Sequence, residues 1–198
     1  MKRDLNQLQN RTFNLLVVGG GITGACIAHD AALRGLSVAL VERQDFGMST
    51  SAASSKLLHG GIRYLQKLQV NKVRESARER TYFQIIAPHI TSNIPFMVPT
   101  EKSSFMKGKL AMVAGMSMYR LICSGLNQLI TDPSKKIPFG KLHSKEELLK
   151  HIPLLSRLDT INGAHTLYET HMYNSERMTL AFLKTAAANG GVVANHTE

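Results

Sequence analysis

Three consecutive glycines, Gly19-Gly20-Gly21, with a fourth at Gly24, separate two very different stretches of chain. Before them, Leu15-Leu16-Val17-Val18 is entirely apolar, as a strand buried on both faces of a parallel sheet requires. After them, Ile22 to Leu33 repeats apolar residues at helical spacing, and Gly35 supplies a stop. Ser37 to Glu42 then reads as a second buried strand. Strand, helix and parallel strand within about thirty residues make a βαβ unit, and few chains with this pattern can be anything but α/β.

The spacing Gly19-x-Gly21-x-x-Gly24 sits at the strand-to-helix turn, where each glycine has a separate task. Gly19 makes the tight turn, Gly21 lets a pyrophosphate approach the backbone, and Gly24 lets the helix pack closely on the strand. Ile22 and Thr23 open the helix, whose free N–H groups and positive dipole end suit phosphates. Glu42, followed by Arg43, ends the second strand eighteen residues after Gly24. A carboxylate there can accept both hydroxyls of an adenosine ribose and would repel a 2′-phosphate. These features predict dinucleotide binding. The turn by itself does not distinguish FAD from NAD. The residues after Glu42 favour FAD, because the chain runs into Gly47-Met48-Ser49-Thr50-Ser51-Ala52-Ala53-Ser54-Ser55 instead of another short α/β unit. So many small and hydroxylated residues cannot build a core, but they can lie flat against a large cofactor.

The remaining pattern is globular. Of 198 residues, 43% are hydrophobic and 19% charged, which argues against disorder. The net charge of +10 suits either a solvated basic surface or attraction to an anionic membrane or substrate. Nucleic acid ranks last, since no recognition motif accompanies the charge. Cys26 and Cys123 lie far apart and outside any Cys/His cluster, so two free thiols and no metal site are expected. No secretory leader follows "MKRDLNQLQN". The apolar runs Leu110–Tyr119 and Leu121–Thr131 are split by Arg120 and are too short to span a bilayer.

Further along, 71–87 reads as a charged amphipathic helix and 93–99 as a strand between prolines. Residues 105–131 read as apolar helices, a buried or interfacial pair, with the methionines of "MVAGMSMY" in core packing or facing a lipid surface. Ser144 with Glu147 forms a capping-box pattern. Residues 163–173 suggest a strand, 174–189 a helix capped by Asn174 or Ser175, and "VVAN" the start of another strand.

Residues 50–65, Thr-Ser-Ala-Ala-Ser-Ser-Lys-Leu-Leu-His-Gly-Gly-Ile-Arg-Tyr-Leu, match a family pattern at every fixed position. With the Gly-rich turn before them, they closely resemble the FAD-dependent, quinone-linked glycerol-3-phosphate dehydrogenases. The pattern is T-S-x-x-S-[ST]-K-L-[IL]-H-G-G-[LIV]-R-Y-L. "RERTYFQIIAPHI" resembles the helix that follows it in that family.

The resemblance implies a Rossmann-like FAD-binding domain of the glutathione-reductase type, with the start of a substrate or cap domain, truncated. It assigns 1–90 to the FAD-binding βαβ unit and flavin-wrapping loop, 91–172 to part of the substrate domain, and 173–198 to a return helix and strand. It implies oxidation of sn-glycerol 3-phosphate to dihydroxyacetone phosphate, with electrons passed to a membrane quinone. It further implies a homodimer held peripherally on the inner face of the cytoplasmic membrane. Thr50, Ser51, Ser55, Lys56, Leu58, His59, Gly60 and Gly61 would join the Gly turn, Glu42 and Arg43 around FAD, with Gly60 and Gly61 permitting close approach to the flavin. Arg63 and Tyr64 would meet the substrate.

The catalytic base of the family is expected beyond residue 198, so the chain reads as an N-terminal portion, inactive alone. The family has Asp-Asp-Ala-Arg-Leu where this chain has Asn174-Ser175-Glu176-Arg177-Met178. A changed helix cap is the mildest reading of that exchange. Two rival readings stand beside this one: an amine or amino-acid oxidase of the same fold, and a non-enzymatic remnant. The Lys56–Tyr64 run argues against the first.

Overall fold

The computed structural model describes residues 1, 3–102 and 107–198. In chain order its elements are α1 (Leu5–Asn10), β1 (Leu15–Val18), α2 (Ile22–Leu33), β2 (Val38–Val41), β3 (Leu57–Leu58), α3 (Ile62–Leu65), α4 (Val70–Ile86), β4 (Thr91–Glu101), α5 (Lys109–Ile122), β5 (Leu142–Ser144), α6 (Lys145–His151), β6 (Ile161–Met172), α7 (Ser175–Ala188) and β7 (Val192–Ala194). They fall into two compact units, one of Met1–Lys56 with Met172–Glu198 and one of Leu57–His171. The first piece thus ends at Lys56, earlier than the boundary at 90 that the sequence suggests, because β3 and α4 find their partners within the second unit.

The first unit holds a parallel sheet in the order β1-β2-β7. Leu15 to Val18 register with Val38 to Val41, and Ala39 to Val41 with Val192 to Ala194. The βαβ expectation therefore holds, and the chain returns through α7 to extend the same sheet. Helix α2 buries Ala25, Ala28, Ala31 and Ala32. Such small side chains let it lie close to α7, which buries Met178, Phe182, Leu183 and Ala186. His29 meets the Phe182 ring edge-on at 5.0 Å. β2 is buried along Val38, Ala39 and Leu40. β1 departs from the expectation of burial on both faces: Val17 is buried, while Leu16 and Val18 are 60% and 80% exposed. Among the described residues β1 is one of the sheet's two edge strands, and since alternate residues of a strand point to opposite faces, one of its faces is covered and the other open.

α7 begins where the family-like segment departs from its pattern. Asn174 Oδ1 accepts the Arg177 N–H at 2.6 Å, so Asn174, not Ser175, is the cap. Asparagine satisfies an orphan helix donor about as well as aspartate does.

The second unit holds a sheet in the order β3-β6-β4, with β5 also pairing to β6. β3 and β5 run antiparallel to β6, with Leu58 opposite Thr170 and His143 opposite Ala164. β4 is longer than the expected 93–99 strand and passes through Pro95 and Pro99. An edge strand tolerates proline, whose missing N–H costs no ladder bond on the open side. α4 turns Val73, Ala77, Arg80, Thr81 and Gln84 inward. Leu148 and Ala164, both fully buried, pack with Ile161. Ser144 caps α6 through the expected reciprocal box with Glu147.

The apolar stretch 105–131 differs from its expectation. Phe105 and Met106 lie outside the described residues. Beyond them comes one α-helix, α5, then a short 3-10 turn at Leu126–Leu129, not a helix pair. Gly125, at φ +85°, breaks the run. No residue of α5 is fully buried, so its methionines are not core; Leu110 and Leu121 are 85% and 76% exposed. Cys26 and Cys123 form no disulfide, and each is half-buried.

Candidate cofactor-binding site

In the first unit, the turn from β1 to α2 is shaped by what has no room to be there. Gly19 sits at φ +111°, a conformation that L side chains rarely adopt. A Cβ on Gly24 would fall 1.9 Å from the Gly19 carbonyl oxygen, so only glycine lets the helix start this close to the strand. Gly21 is the N-cap of α2. Gly20, which the motif spacing does not single out, is equally constrained: a Cβ there would lie 2.6 Å from a Phe46 ring carbon and 2.9 Å from Glu42 Cβ. The unbroken Gly19-Gly20-Gly21 run was the only sequence signal for it.

Glu42 and Ser51 close on this turn. Glu42 Oε2 accepts the Gly20 N–H at 2.7 Å and Oε1 the Gln44 N–H at 2.8 Å. The Gln44 and Gly20 amides hold the Glu42 carboxyl below the usual carboxylate range. Each oxygen retains a further lone pair for a hydroxyl donor. Ser51 Oγ accepts the Ile22 N–H at 2.9 Å, at the first turn of α2. Helix geometry leaves the amides of this turn, including those of Thr23 and Gly24, without intrahelical acceptors. The structure thus brings together Gly19, Gly21, Ile22, Thr23, Gly24, Glu42 and Ser51. Arg43, Thr50 and Ser55 are exposed in the same unit. Lys56 adopts φ +57°, and its carbonyl accepts the Met172 N–H at 2.7 Å.

The other predicted residues belong to the second unit. Leu58 lies in β3 and His59 is exposed. Gly60 and Gly61 are buried, and the space their missing side chains leave is taken by protein. A Cβ on Gly60 would lie 2.0 Å from the Tyr119 hydroxyl and 2.4 Å from Arg80 Nη1. One on Gly61, at φ +75°, would lie 2.7 Å from Ser76 Cβ. A side chain on Gly60 would have to displace the ends of Tyr119 and Arg80, and one on Gly61 would also strain a left-handed backbone. Gly61 is the N-cap of α3, which carries Arg63 and Tyr64, both exposed. Lys72 Nζ stands 5.7 Å from the centre of the Tyr64 ring. Tyr64, His59 and Lys72 line a cavity of about 510 Å³, and Arg63 does not.

A family of proteins described as FAD-dependent oxidoreductases matches residues 14–198. The chain is 38% identical over 200 residues to the aerobic glycerol-3-phosphate dehydrogenase of Staphylococcus epidermidis, covering all of this chain and 34% of that protein. It is 35% identical over 195 residues to the alpha-glycerophosphate oxidase of Streptococcus pneumoniae, covering 98% of this chain and 30% of that protein. Among solved structures, the glycerol-3-phosphate dehydrogenase of Bacillus halodurans, complexed with FAD, is similar with a TM-score of 0.65 and 28% identity. That match covers 98% of this chain and 28% of the Bacillus chain. The chain spans about a third of the length of the curated relatives it matches.

Proposed function

This chain belongs to the FAD-dependent oxidoreductase family, and from that premise we propose that it binds FAD and serves the oxidation of glycerol 3-phosphate. The observation that carries the reading is the β1–α2 turn, where Gly24 stands so close to the Gly19 carbonyl that the first turn of α2 opens directly onto the strand end. The Gly21 to Thr23 backbone would hold the pyrophosphate, using the dipole of α2 and its open amides, with the Ile22 amide shared with Ser51 Oγ. Glu42, kept ionised by two backbone donors, would accept the ribose hydroxyls. Thr50, Ser51, Ser55 and Lys56 would complete the wrap with small, hydroxylated and cationic groups. A bound flavin supplies a hydride acceptor that can pass electrons on singly or in pairs.

Toward the substrate, the chain's own part is binding and orientation. Arg63 offers a planar fork of N–H donors that matches a phosphate dianion. The relatives' printed names support glycerol 3-phosphate as the substrate, and they divide between dehydrogenase and oxidase. Transfer to a membrane quinone, with the net charge of +10 favouring an anionic membrane surface, is the acceptor we propose.

The test uses purified chain titrated with FAD, then with glycerol 3-phosphate, glycerol and a panel of amino acids. FAD is expected to bind and survive dialysis, and glycerol 3-phosphate alone among these compounds is expected to perturb its spectrum. FAD affinity no better than that of NAD would overturn the cofactor assignment. A response to amino acids in place of glycerol 3-phosphate would move the chain to the amine and amino-acid oxidases.

A further inference from the structure

Three side chains in the second unit converge on one glycine. Arg80 from α4 and Glu169 from β6 are only 4% and 7% exposed, and Arg80 Nη1 lies 3.2 Å from Glu169 Oε2. The same carboxylate oxygen accepts the Gly60 N–H at 2.8 Å. On the other side, the Tyr119 hydroxyl from α5 donates to the Gly60 carbonyl oxygen at 2.9 Å. Arg80 Nη1 also approaches the Tyr168 carbonyl at 3.4 Å, and Arg80 Nε is buried without a hydrogen-bond partner.

A buried ion pair is weak evidence for stability, since apolar residues of the same volume often serve as well or better. What distinguishes this pair is its target. The two peptide planes that flank Gly60 are each gripped by a side chain, so both backbone torsions of Gly60 are set from outside. A larger residue at Gly60 would have to push aside the ends of the Tyr119 and Arg80 side chains that form this grip. The next residue, Gly61, is the N-cap of α3, and Arg63 and Tyr64 follow at once. Burial pushes the Tyr119 phenol far up, which keeps it a protonated donor at neutral pH. Burial likewise raises the Cys123 thiol beside it, so no thiolate competes for the phenol proton at neutral pH.

We propose that Tyr119, Glu169 and Arg80 are positioning residues that fix the Gly60–Gly61 turn and thereby aim Arg63 at the substrate phosphate. The role rests on the reading of Arg63 given above. In this role the three side chains act through the backbone they hold.

Tyr119→Phe tests this with the smallest change, the loss of one oxygen. Glu169→Gln is the second variant: its amide oxygen can still accept from Gly60 while the charge is gone. Binding of glycerol 3-phosphate and of glycerol to the full chain with FAD is measured for wild type, Tyr119→Phe, Arg63→Ala and the double variant. Tyr119→Phe is expected to weaken glycerol 3-phosphate about tenfold, the scale of one hydrogen bond to a charged group. Glycerol should be unaffected, so the ratio between the ligands falls. In the Arg63→Ala background the same change should have no further effect, because the two act on one contact. Glu169→Gln should fall between wild type and Tyr119→Phe in that ratio. A purely structural role would lower the folded fraction and leave the ratio untouched, which would overturn the proposal. So would additive losses in the double variant. Wild-type chain that binds FAD but discriminates nothing between the two ligands would overturn the reading of Arg63, and this proposal with it.

Discussion

Gly24 has almost no room for a side chain. A single methyl there meets the Gly19 carbonyl at 1.9 Å, and backbone cannot step aside as a flexible side chain can. Gly24→Ala is expected to destabilise the chain by about 3 kcal/mol, the upper end for overpacking, as read by denaturant unfolding. FAD retention should be lost with it. Glu42 offers a test through pH. Its carboxyl is depressed by the Gln44 and Gly20 amides. A depressed folded value means that its contribution is present above the unfolded value and disappears as pH falls through the folded one. Wild type is therefore expected to exceed Glu42→Gln in stability at pH 7 by no more than about 1 kcal/mol, because water screens a carboxylate that is only partly buried. The gap should shrink as pH falls from the ordinary glutamate range through the lower value of the folded state. Urea midpoints for the two proteins across that range decide it; a constant gap would show that Glu42 acts through packing, not charge. Gly20, Gly60 and Gly61 carry a related lesson. Each is a glycine because a neighbour distant in sequence fills the space beside it, and no local pattern reports such a neighbour.

Helix ends were among the most readable elements, because a cap is chemistry between residues three apart. Ser144 with Glu147 forms the box that its spacing predicts. Asn174 caps α7, where the family-like segment has aspartate. Asn174→Ala is expected to cost about 1 kcal/mol. Asn174→Asp should preserve the cap and add about 0.3–1 kcal/mol from the helix dipole at low salt. Thermal unfolding of the two variants in low and high salt separates the contributions, since only the second should weaken with salt. Lower stability for aspartate would mean that the amide group has a partner of its own beyond Arg177. Strand burial was less readable. Val17 and Val18 are chemically identical, yet one is buried and the other is 80% exposed. Which face of an edge strand meets a helix depends on the sheet's neighbours. Likewise the apolar stretch of α5 stays half-exposed, although composition alone suits it to a core.

For the molecule as a whole, binding of FAD to the folded state must raise stability by mass action. At about a hundredfold excess over its dissociation constant the gain should be about 2.7 kcal/mol, read as a shift in the unfolding midpoint. Arg63→Ala should leave that gain intact and Glu42→Ala should reduce it, since the two residues are assigned to different ligands. A gain equally lost in both would contradict this division. The parallel βαβ unit, the Gly-rich turn, the carboxylate at the end of β2 and the caps were legible from residues alone. Each is set by contacts within a few turns of chain, where side-chain period and backbone sterics leave few alternatives. The division of the chain at Lys56, the open face of β1 and the grip of Arg80, Tyr119 and Glu169 on Gly60 were decided only by the tertiary structure. Glu169 lies 109 residues from the amide it accepts and 89 from its arginine. A charge inside a strand pattern, or an arginine on the inward stripe of a helix, reads as ordinary surface until the fold brings the two together. Burial then makes each the other's necessary partner, because neither could leave water alone.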